Sequence, residues 1–553
     1  MSNINVEKGD EPEQKKFDLD NILKDEVGQF GKYQVITLLL AAFPVMFSAF
    51  AAGEYIFTTA RIPTRCMIYQ CDDVDNPEFR PSWIANAIPP NSDNTSFADC
   101  ERYINSSIQT PPPPDTCPAT LFDQPQTTDC ARSFVYENTV TSVVYDFNLG
   151  CDEWKRSQIG SIRTIGTLLV LPITGYISDR WGRRVALTIN AFNTGLIGLV
   201  RSFVNTYEGF LTLEVLESSI GAGAYSSCYI LVTELVGPKY RVVAGASIST
   251  MFALGQVFLG LIAWGVQPWR TLTQVLYAPQ LLVVTYFWIL SESVRWLLSK
   301  GRYEESEKIL KKVAKTNNKQ LSDKSLEALR ATAEAEKNME KPKEPWLVIL
   351  VFKSKALLAR CIVSPIWWIT NTLVYYGMGI NAVNLSGNRY LNYVYVAAVE
   401  IPGYWTAILL LDRIGRKPVL ICAYFLCSVC QFGFAFLPEG YEGLSLALYL
   451  IGKYSIAIVM TSVYVFTAEL YPTKYRHSLF AFSSMVGRLG SITAPLTPSL
   501  VIWEPFPSVL FGSFALLSGA LILTMPETLG TKLPDTIEQA EQLGTSRARK
   551  NSS

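Results

Sequence analysis

Blocks of mostly apolar residues, each about 20 residues long, recur along the chain between short charged connections. A helix of that length matches the hydrocarbon core of a lipid bilayer, which is about 30 Å thick. Hydrophobic residues make up 49% of the 553 residues and charged residues 17%, and the charges lie mainly between the blocks. A soluble chain of this length would carry more charge and shorter apolar runs, so the pattern predicts an all-α membrane protein.

The blocks predict twelve transmembrane helices in two groups of six. The first group lies near 34–57, 158–178, 185–204, 208–236, 242–264 and 268–290, and the second near 357–380, 388–411, 417–437, 443–467, 478–502 and 506–525. We therefore expect a tail at 1–33, a six-helix half at 34–290 with a long loop at 58–157, a linker at 291–356, a second half at 357–526 and a tail at 527–553.

Basic residues cluster in every second connection, for example at 180–184 and 413–417. Since short connections rich in lysine and arginine face the cytoplasm, we expect both termini and the linker to lie there. The loop at 58–157 then lies outside the cell. This pattern predicts a multi-pass protein of the plasma membrane.

The long loop is rich in cysteine: it contains Cys66, Cys71, Cys100, Cys117, Cys130 and Cys151. Six cysteines on a non-cytoplasmic face predict three disulfides, and the sequence leaves their pairing open. A zinc site is the competing interpretation, but the loop has no histidine and no C-x-x-C pair. Asn94 and Asn105 begin sequons and are predicted glycosylation sites.

Three motifs recur at nearly one offset. The motif D-R-W-G-R-R at 179–184 returns as D-R-I-G-R-K 233 residues later. The motif at 234–241, which starts with E-L and ends with K-Y-R, returns 235 residues later, as does Glu292 at position 527. Each motif follows the equivalent block in its half, so the chain is predicted to consist of two homologous six-helix halves.

The recurring motifs combine a glycine, which permits a tight turn, with carboxylates and arginines. We expect ion pairs that hold the two halves together at the cytoplasmic mouth and break when that side opens; a purely topological role for the charges is the alternative. The residues of this predicted gate are Asp179, Arg180, Gly182, Arg183, Arg184, Glu234 and Arg241 in the first half, and Asp412, Arg413, Gly415, Arg416, Glu469 and Arg476 in the second.

These motifs, together with the cysteine-rich loop and the segments S-E-S-V-R-W-L-L at 291–298, A-E-L-Y-P-T at 468–473 and P-E-T-L-G at 526–530, resemble the major facilitator superfamily. More closely, the chain resembles the organic cation, anion and zwitterion transporters of solute carrier family 22, over roughly residues 20–540. The resemblance implies a central cavity between two pseudo-symmetric halves, alternating access, and uptake of varied small organic ions.

The resemblance also makes the charge in the eleventh helix informative. Members of the family that prefer cations carry an aspartate there, whereas anion and carnitine-type members carry an arginine. The matching residue is Arg488, which a helix places about 18 Å from the cytoplasmic end, near the bilayer midplane, where charges are usually functional. Glu400 lies at a similar depth and matches an acid of the family. The pair suits a zwitterion, but the two charges would equally neutralise each other, and Lys453 is a candidate second positive site.

Aromatic faces can hold ammonium groups by cation–π attraction. The seventh helix supplies Trp367, Trp368, Tyr375 and Tyr376, and the resemblance places the tyrosine pair in the substrate pocket. Further cavity candidates are Asn381, which replaces an acid common in relatives, Tyr464 and Gln256. Glu54 and Arg163 are charges that depart from the family pattern, and the sequence assigns them no role.

The leading hypothesis is therefore a secondary or facilitative transporter of organic zwitterions or cations, such as carnitine-, betaine- or β-alanyl-amine-like solutes. The alternatives are an organic anion exchanger, favoured by Arg488 and Lys453, and a receptor that does not move its substrate. Zero net charge argues against a nucleic-acid partner, and the sequence has no nucleotide-binding loop, catalytic motif or cofactor site. We expect a small organic ion and the lipid bilayer as partners, whereas a coupled ion and the oligomeric state leave no sequence signal.

Overall fold

The chain is represented by a computed structural model that describes residues 19–91, 96–106, 117–130, 133–137, 142–338, 347–438, 440–473, 475–499, 505–531, 534 and 537–543. Each of the twelve predicted blocks contains a helix or consecutive helical pieces, which we call spans 1 to 12. The first six are span 1 (Lys32–Thr58), span 2 (Glu153–Trp181), span 3 (Arg183–Arg201), span 4 (Tyr207–Ile220 and Ala224–Leu235), span 5 (Arg241–Gly265) and span 6 (Trp269–Tyr277, Pro279–Thr285 and Tyr286–Ile289). The others are span 7 (Lys355–Asn381), span 8 (Arg389–Ala398 and Glu400–Ile414), span 9 (Arg416–Ala435), span 10 (Glu442–Leu470), span 11 (Arg476–Thr493 and Ala494–Leu496) and span 12 (Phe506–Leu523).

Length and composition qualify nine of these elements, within the described part of the chain, as able to cross a membrane. Spans 3, 4 and 11 are not among them. Span 4 is divided into two pieces, and spans 3 and 11 carry several charged and polar residues. The helical membrane fold is therefore confirmed. For spans 3, 4 and 11, the count of twelve is supported only by the presence of helices in the predicted blocks.

Two of the interruptions coincide with glycine or proline residues. Span 4 is interrupted at Gly221 and Gly223, which allow neighbouring spans to approach closely: β-carbons there would lie 2.4 Å and 2.1 Å from the hydroxyl oxygens of Thr194 and Thr174. Span 8 breaks just before Glu400, because Pro402 cannot donate the backbone hydrogen bond that would continue the helix. The break leaves Glu400 in the first turn of the second piece, wholly buried.

The long loop forms a small domain at one end of the bundle, which we call the loop side. Strand β1 (Thr64–Cys66) pairs with β4 (Phe134–Tyr136), and β2 (Glu101–Asn105) pairs with β3 (Phe122–Asp129), both antiparallel. Short helices lie at Ile84–Ala87, Ala119–Leu121 and Val143–Asp146.

The three predicted disulfides are present in the loop domain. They join Cys66 to Cys130, Cys71 to Cys117, and Cys100 to Cys151. Asn105 is exposed at the end of β2, whereas Asn94 lies outside the described residues, and glycosylation stays a prediction.

The opposite end of the bundle, the linker side, carries the segment between spans 6 and 7. Its helices are Val294–Ser299, Tyr303–Thr316, Asp323–Asn338 and Leu347–Lys353. The first three pack through apolar residues against the N-terminal helical turns Leu19–Ile22 and Leu23–Val27. Further short helices are Pro238–Tyr240 and Ala382–Asn384 in connections, and Ile537–Gln542 after span 12.

The two halves contact each other most closely near the loop side. The Ser161 hydroxyl of span 2 donates to the Ile492 carbonyl of span 11 at 2.9 Å. A β-carbon on Gly160 would lie only 2.7 Å from Pro495 Cβ. In span 1, Phe57 stacks on Tyr390 of span 8 with ring centroids 5.6 Å apart. These contacts close the loop side of the bundle.

Candidate functional site

Four tyrosines lie near one another at the boundary between the halves, two from the first half and two from the second. Tyr225 and Tyr229 of span 4 lie within electrostatic reach of Tyr464 of span 10, and Tyr225 and Tyr464 both interact with Tyr376 of span 7. Tyr229 and Tyr464 are each 40% exposed although they lie well inside their spans. From this exposure we infer a tyrosine-lined cavity between the halves, and because the loop side is closed, we infer that the cavity opens toward the linker side. The sequence identified Tyr376 and Tyr464 as candidates but missed Tyr225 and Tyr229.

Arg488 lies in span 11 beside this cavity. Gly487 and Gly490 face span 7, where β-carbons would lie 2.8 Å from Trp368 Cβ and 2.2 Å from the Ile369 carbonyl oxygen. The arginine therefore projects from a different flank of the helix, half-buried and within electrostatic reach of Tyr464. Within the described residues its guanidinium makes no hydrogen bond and no ion pair, so its charge is available to a ligand.

Glu400 is bound by three side chains of its own half. The hydroxyls of Tyr375 and Tyr404 donate to Glu400 Oε2 at 2.5 Å and 2.9 Å. The Lys453 ammonium lies 2.9 Å from Oε1, as an ion pair rather than a well-directed hydrogen bond. It also donates to the Tyr375 carbonyl at 2.8 Å and lies 3.9 Å from the centroid of the Tyr375 ring.

This arrangement matches neither of the two options left open for Glu400, and it changes the interpretation of Lys453. Glu400 is neutralised by Lys453 rather than by Arg488, and both partners are almost wholly buried. Lys453 therefore does not provide a second free positive charge in this conformation. Sequence reasoning identified both residues but not the pair, and it missed Tyr404.

The remaining candidates are distributed around the cavity. Trp367 and Trp368 are buried, and both indole N–H groups donate to the Thr467 hydroxyl, at 3.4 Å and 3.1 Å. Neither ring exposes a face to the cavity in this conformation. Asn381 donates to the Gly377 carbonyl at 2.8 Å and to the Thr497 hydroxyl at 3.1 Å. Gln256 of span 5 is half-buried.

The recurring motifs build the same structure in each half on the linker side. Glu292 accepts backbone hydrogen bonds from Arg183 and Arg184 at 2.8 Å and 3.1 Å. The equivalent Glu527 accepts from the backbone of residues 416 and 417 at 3.1 Å and 3.0 Å. Each carboxylate therefore caps the start of the third helix of its half, where the helix dipole favours negative charge.

The arginines of the motifs form equivalent ion pairs. Arg183 contacts Asp179 at 2.7 Å and Glu234 at 3.4 Å. Arg416 contacts Asp412 at 3.1 Å and Glu469 at 3.0 Å. Ion pairs therefore form within each half in this conformation, which we interpret as open on the linker side. The expected pairs between the halves stay a prediction for the state that is closed on that side. Each carboxylate faces an arginine of its own half, because the motif and its acceptor lie at the linker-side ends of spans 2 and 4 in the first half and of spans 8 and 10 in the second.

The other predicted gate residues lie around these pairs. Arg180 donates to the Tyr176 hydroxyl at 2.9 Å and Arg184 to the Leu290 carbonyl at 3.3 Å. Arg241 pairs with Asp20 of the N-terminal segment at 2.6 Å. Arg476 donates to the Thr473 hydroxyl at 3.1 Å, and Arg413 is exposed.

A second charged cluster lies buried in the first half, and Tyr55 is within electrostatic reach both of this cluster and of the cavity residue Tyr376. It contains the two unassigned charges, Glu54 and Arg163, together with Arg201, Glu214 and Glu217. The signal that would have revealed it is the presence of three further charges inside spans 3 and 4, where membrane helices rarely carry them.

Comparison with known proteins identifies the family. The family model for "Sugar (and other) transporter" matches residues 127–539. Solute carrier family 22 member 16 of Xenopus laevis is 31% identical over 546 residues, which cover 95% of this chain and 94% of the relative. Organic cation transporter protein of Drosophila melanogaster is 30% identical over 529 residues, which cover 94% of each protein.

The fold matches solved structures of the same superfamily. The xylose transporter XylE from E. coli, in a partially occluded inward open conformation, superimposes with a TM-score of 0.57 at 16% sequence identity. The match covers 90% of this chain and 98% of that structure. The chain therefore belongs to solute carrier family 22 of the major facilitator superfamily, a family of membrane transporters rather than enzymes.

Proposed function

We propose that the protein is a secondary transporter of small organic zwitterions, such as carnitine- or betaine-like solutes, that works by alternating access. The observation that carries the proposal is the difference between the two charges at mid-depth. Arg488 has no partner among the described residues, whereas Glu400 is already bound by Lys453. A ligand in the cavity therefore meets one free positive charge.

Each part of a zwitterion has a complementary group in this cavity. A carboxylate would bind the fork of N–H donors on Arg488. An ammonium group would lie against the rings of Tyr376, Tyr464 and Tyr229, where cation–π attraction contributes about 0.5–2 kcal/mol. Relatives named organic cation transporters, in Drosophila melanogaster and Caenorhabditis elegans, support the ammonium part of the proposal. A simple cation lacks the carboxylate and is repelled by Arg488.

The test is uptake into proteoliposomes of three labelled probes: carnitine, tetraethylammonium and a dicarboxylate. We expect saturable carnitine uptake by the wild type. The substitution Arg488→Gln should lower carnitine uptake by at least about tenfold, because a hydrogen bond to a charged group contributes about 1.5–3 kcal/mol. Lys355→Gln is the control, since it also removes one positive charge but from an exposed site at the start of span 7. Equal carnitine uptake by wild type and Arg488→Gln would contradict the proposal.

Organic anion exchange is the second candidate function. It is favoured by the Glu400–Lys453 pair, which leaves Arg488 as the free charge of the cavity. Uptake of the dicarboxylate without uptake of carnitine, and its loss in Arg488→Gln, would establish this alternative. The absence of saturable flux for all three probes would instead favour a receptor.

We propose that the loop side faces the outside of the cell and that both termini lie in the cytoplasm. Disulfides form in oxidising compartments, which supports an external position for the loop domain with its three disulfides. The basic motifs of the linker side support its cytoplasmic position. Protection of an epitope tag at either terminus in intact plasma-membrane preparations would test this orientation.

A further inference from the structure

The buried cluster of the first half joins four spans through short ion pairs. Arg201 of span 3 contacts Glu54 of span 1 at 2.7 Å, and Glu214 and Glu217 of span 4 at 2.5 Å and 2.7 Å. Arg163 of span 2 contacts the same two carboxylates of span 4 at 2.5 Å and 2.8 Å. No side chain of the five is more than 8% exposed.

Span 6 and the surrounding rings complete the environment of the cluster. Thr273 donates to Glu54 at 2.7 Å, and the Tyr277 hydroxyl donates to Glu217 at 3.1 Å. The rings of Phe210 and Tyr277 lie 5.4 Å and 5.3 Å from the Arg201 guanidinium. Tyr55 is a further titratable group within electrostatic reach of Arg163 and Glu214. No additional positive charge from spans 1 to 4 or span 6 pairs with these carboxylates within the described residues.

The charges of the cluster do not balance. Arginine stays protonated in proteins, so the two guanidiniums contribute two positive charges against three carboxylates. With every carboxylate ionised, one uncompensated negative charge would lie in the membrane-spanning bundle, which is strongly unfavourable. One more positive charge is required.

A proton fits this requirement better than a metal ion does. Within the described residues, no three acidic, cysteine or histidine side chains converge on a point that would hold a metal ion. The space around the carboxylates is filled by the arginines and by the rings of Phe210 and Tyr277. A proton needs no coordination shell, and carboxylates that share one site readily retain one.

The cluster is adjacent to the contact that closes the loop side. Glu54 precedes Tyr55, which lines a narrow crevice with Gly160, Asn384 and Pro495 from both halves. Arg163 lies two residues after Ser161, which bonds to span 11 across the same contact. Separation of the halves at the loop side would therefore move spans 1 and 2 and admit water to the cluster.

We propose that this cluster is a proton-binding site whose protonation accompanies closure of the loop side. In the open state, one of the three carboxylates takes a proton from hydronium, which becomes water, and the net charge of the cluster changes from minus one to zero. The neutral cluster is then buried on closure. Transport thereby depends on external pH, and only this link to transport rests on the proposed function.

The proton itself is tested by infrared spectroscopy of the purified protein, without any substrate. Glu54→Gln leaves two carboxylates and two guanidiniums, a balanced cluster that needs no proton. We expect a band from one protonated carboxylic acid in the wild type that is missing in Glu54→Gln. Glu217→Gln changes the charge count identically and replaces Glu54→Gln if that variant does not fold. Absence of the band in the wild type overturns the proposal.

The link to transport is tested by carnitine uptake at a series of external pH values. We expect wild-type uptake to fall as the pH rises, by at most about tenfold per pH unit because one proton is involved. Uptake by Glu54→Gln should be independent of pH. Glu208→Gln is the matched control, since it makes the same change at an exposed position of span 4 and should follow the wild type.

These measurements distinguish the proposed proton site from other causes of a pH dependence of uptake. Burial raises the pKa of Asp99 in the loop domain, so this carboxyl is another external group that titrates. A pH dependence that arose from Asp99 would persist in Glu54→Gln and would overturn the link to transport. If none of the probes is transported, the proposed function fails, but the infrared band still decides whether the proton is present.

Discussion

At the scale of single residues, the pairing of Glu400 with Lys453 determines the charge of the cavity. Both side chains are at most 2% exposed, and the carboxylate also accepts from Tyr375 and Tyr404. The gain from bringing two such charges together is largely offset by their desolvation. Loss of one partner, however, leaves the other charge buried without compensation. The effects on stability of replacing Glu400 and of replacing Lys453 should therefore not be additive.

Lys453→Met is predicted to lower the free energy of unfolding by about 3–5 kcal/mol, because it leaves the Glu400 carboxylate unpaired. The double variant Lys453→Met with Glu400→Gln should recover most of this loss, since no buried charge remains. Thermal unfolding in detergent measures the difference, and Lys355→Met at an exposed site is the control. Equal destabilisation of the single and double variants would show that the ion pair is not the cause.

The sequence predicted the position of these charges along the chain but not their partners. Counting residues along the helices placed Arg488 and Glu400 at mid-depth. Which of the nearby charges meets Glu400 depends on the rotation of spans 8 and 10 about their axes, and that rotation is set by packing. The same reason explains why Glu54 and Arg163 had no assigned role, since their partners are on other spans.

At the scale of secondary-structure elements, two glycines set the turns that begin spans 3 and 9. Gly182 has φ +112° and Gly415 has φ +113°, values that side chains with a β-carbon rarely adopt. A β-carbon at Gly182 would also lie 2.2 Å from Glu292 Oε2, and one at Gly415 would lie 2.8 Å from Glu527 Oε2. Each glycine therefore allows a carboxylate to cap the following helix.

Gly182→Ala is predicted to destabilise the protein by more than about 1 kcal/mol, because alanine is strained at positive φ and displaces Glu292 from the helix start. Gly415→Ala should destabilise the protein less, since the Glu527 carboxylate leaves more room for a β-carbon at position 415. Gly175→Ala is the matched control in span 2: no atom lies within 4 Å of its β-carbon position, and alanine favours a helix interior. Thermal unfolding of the three variants in detergent tests this order, and equal stability of Gly182→Ala and Gly175→Ala would contradict it.

The repeated motifs made the elements on the linker side predictable. The glycine turn and the recurrence of Glu292 as Glu527 could be identified from the sequence because both depend on local spacing. The breaks in spans 4 and 8 were not predicted, although Gly221, Gly223 and Pro402 are visible in the sequence. Membrane helices tolerate such residues in many places, and the break itself depends on the neighbouring span.

At the scale of the whole molecule, the internal repeat predicted the fold. It did not predict which side of the bundle is closed. Two homologous halves of six helices can close on either side of the membrane, and the same sequence encodes both states. The structure is closed where span 2 meets span 11, and the exposed tyrosines of spans 4 and 10 lie where we infer the opening. The gate motifs lie on the open side, which explains why their ion pairs lie within the halves.

The closed loop side predicts the effect of a large residue at Gly160. Its β-carbon position is 2.7 Å from both Pro495 and Tyr55, so a tryptophan there cannot be accommodated while the halves touch. Gly160→Trp should shift the population toward the state open on the loop side and abolish carnitine uptake, because transport requires both states. Gly175→Trp is the control, as its β-carbon position is unobstructed.

Accessibility distinguishes this shift from misfolding. A cysteine in place of Tyr376, in the central cavity, should react with a membrane-impermeant thiol reagent from the loop side when Gly160→Trp is present. The same cysteine should be protected in the parent chain and in Gly175→Trp, because the contact between Gly160 and Pro495 closes that route. A protected cysteine in Gly160→Trp would mean that this contact does not control access. Reaction in all three chains would mean that the loop side is not closed at rest.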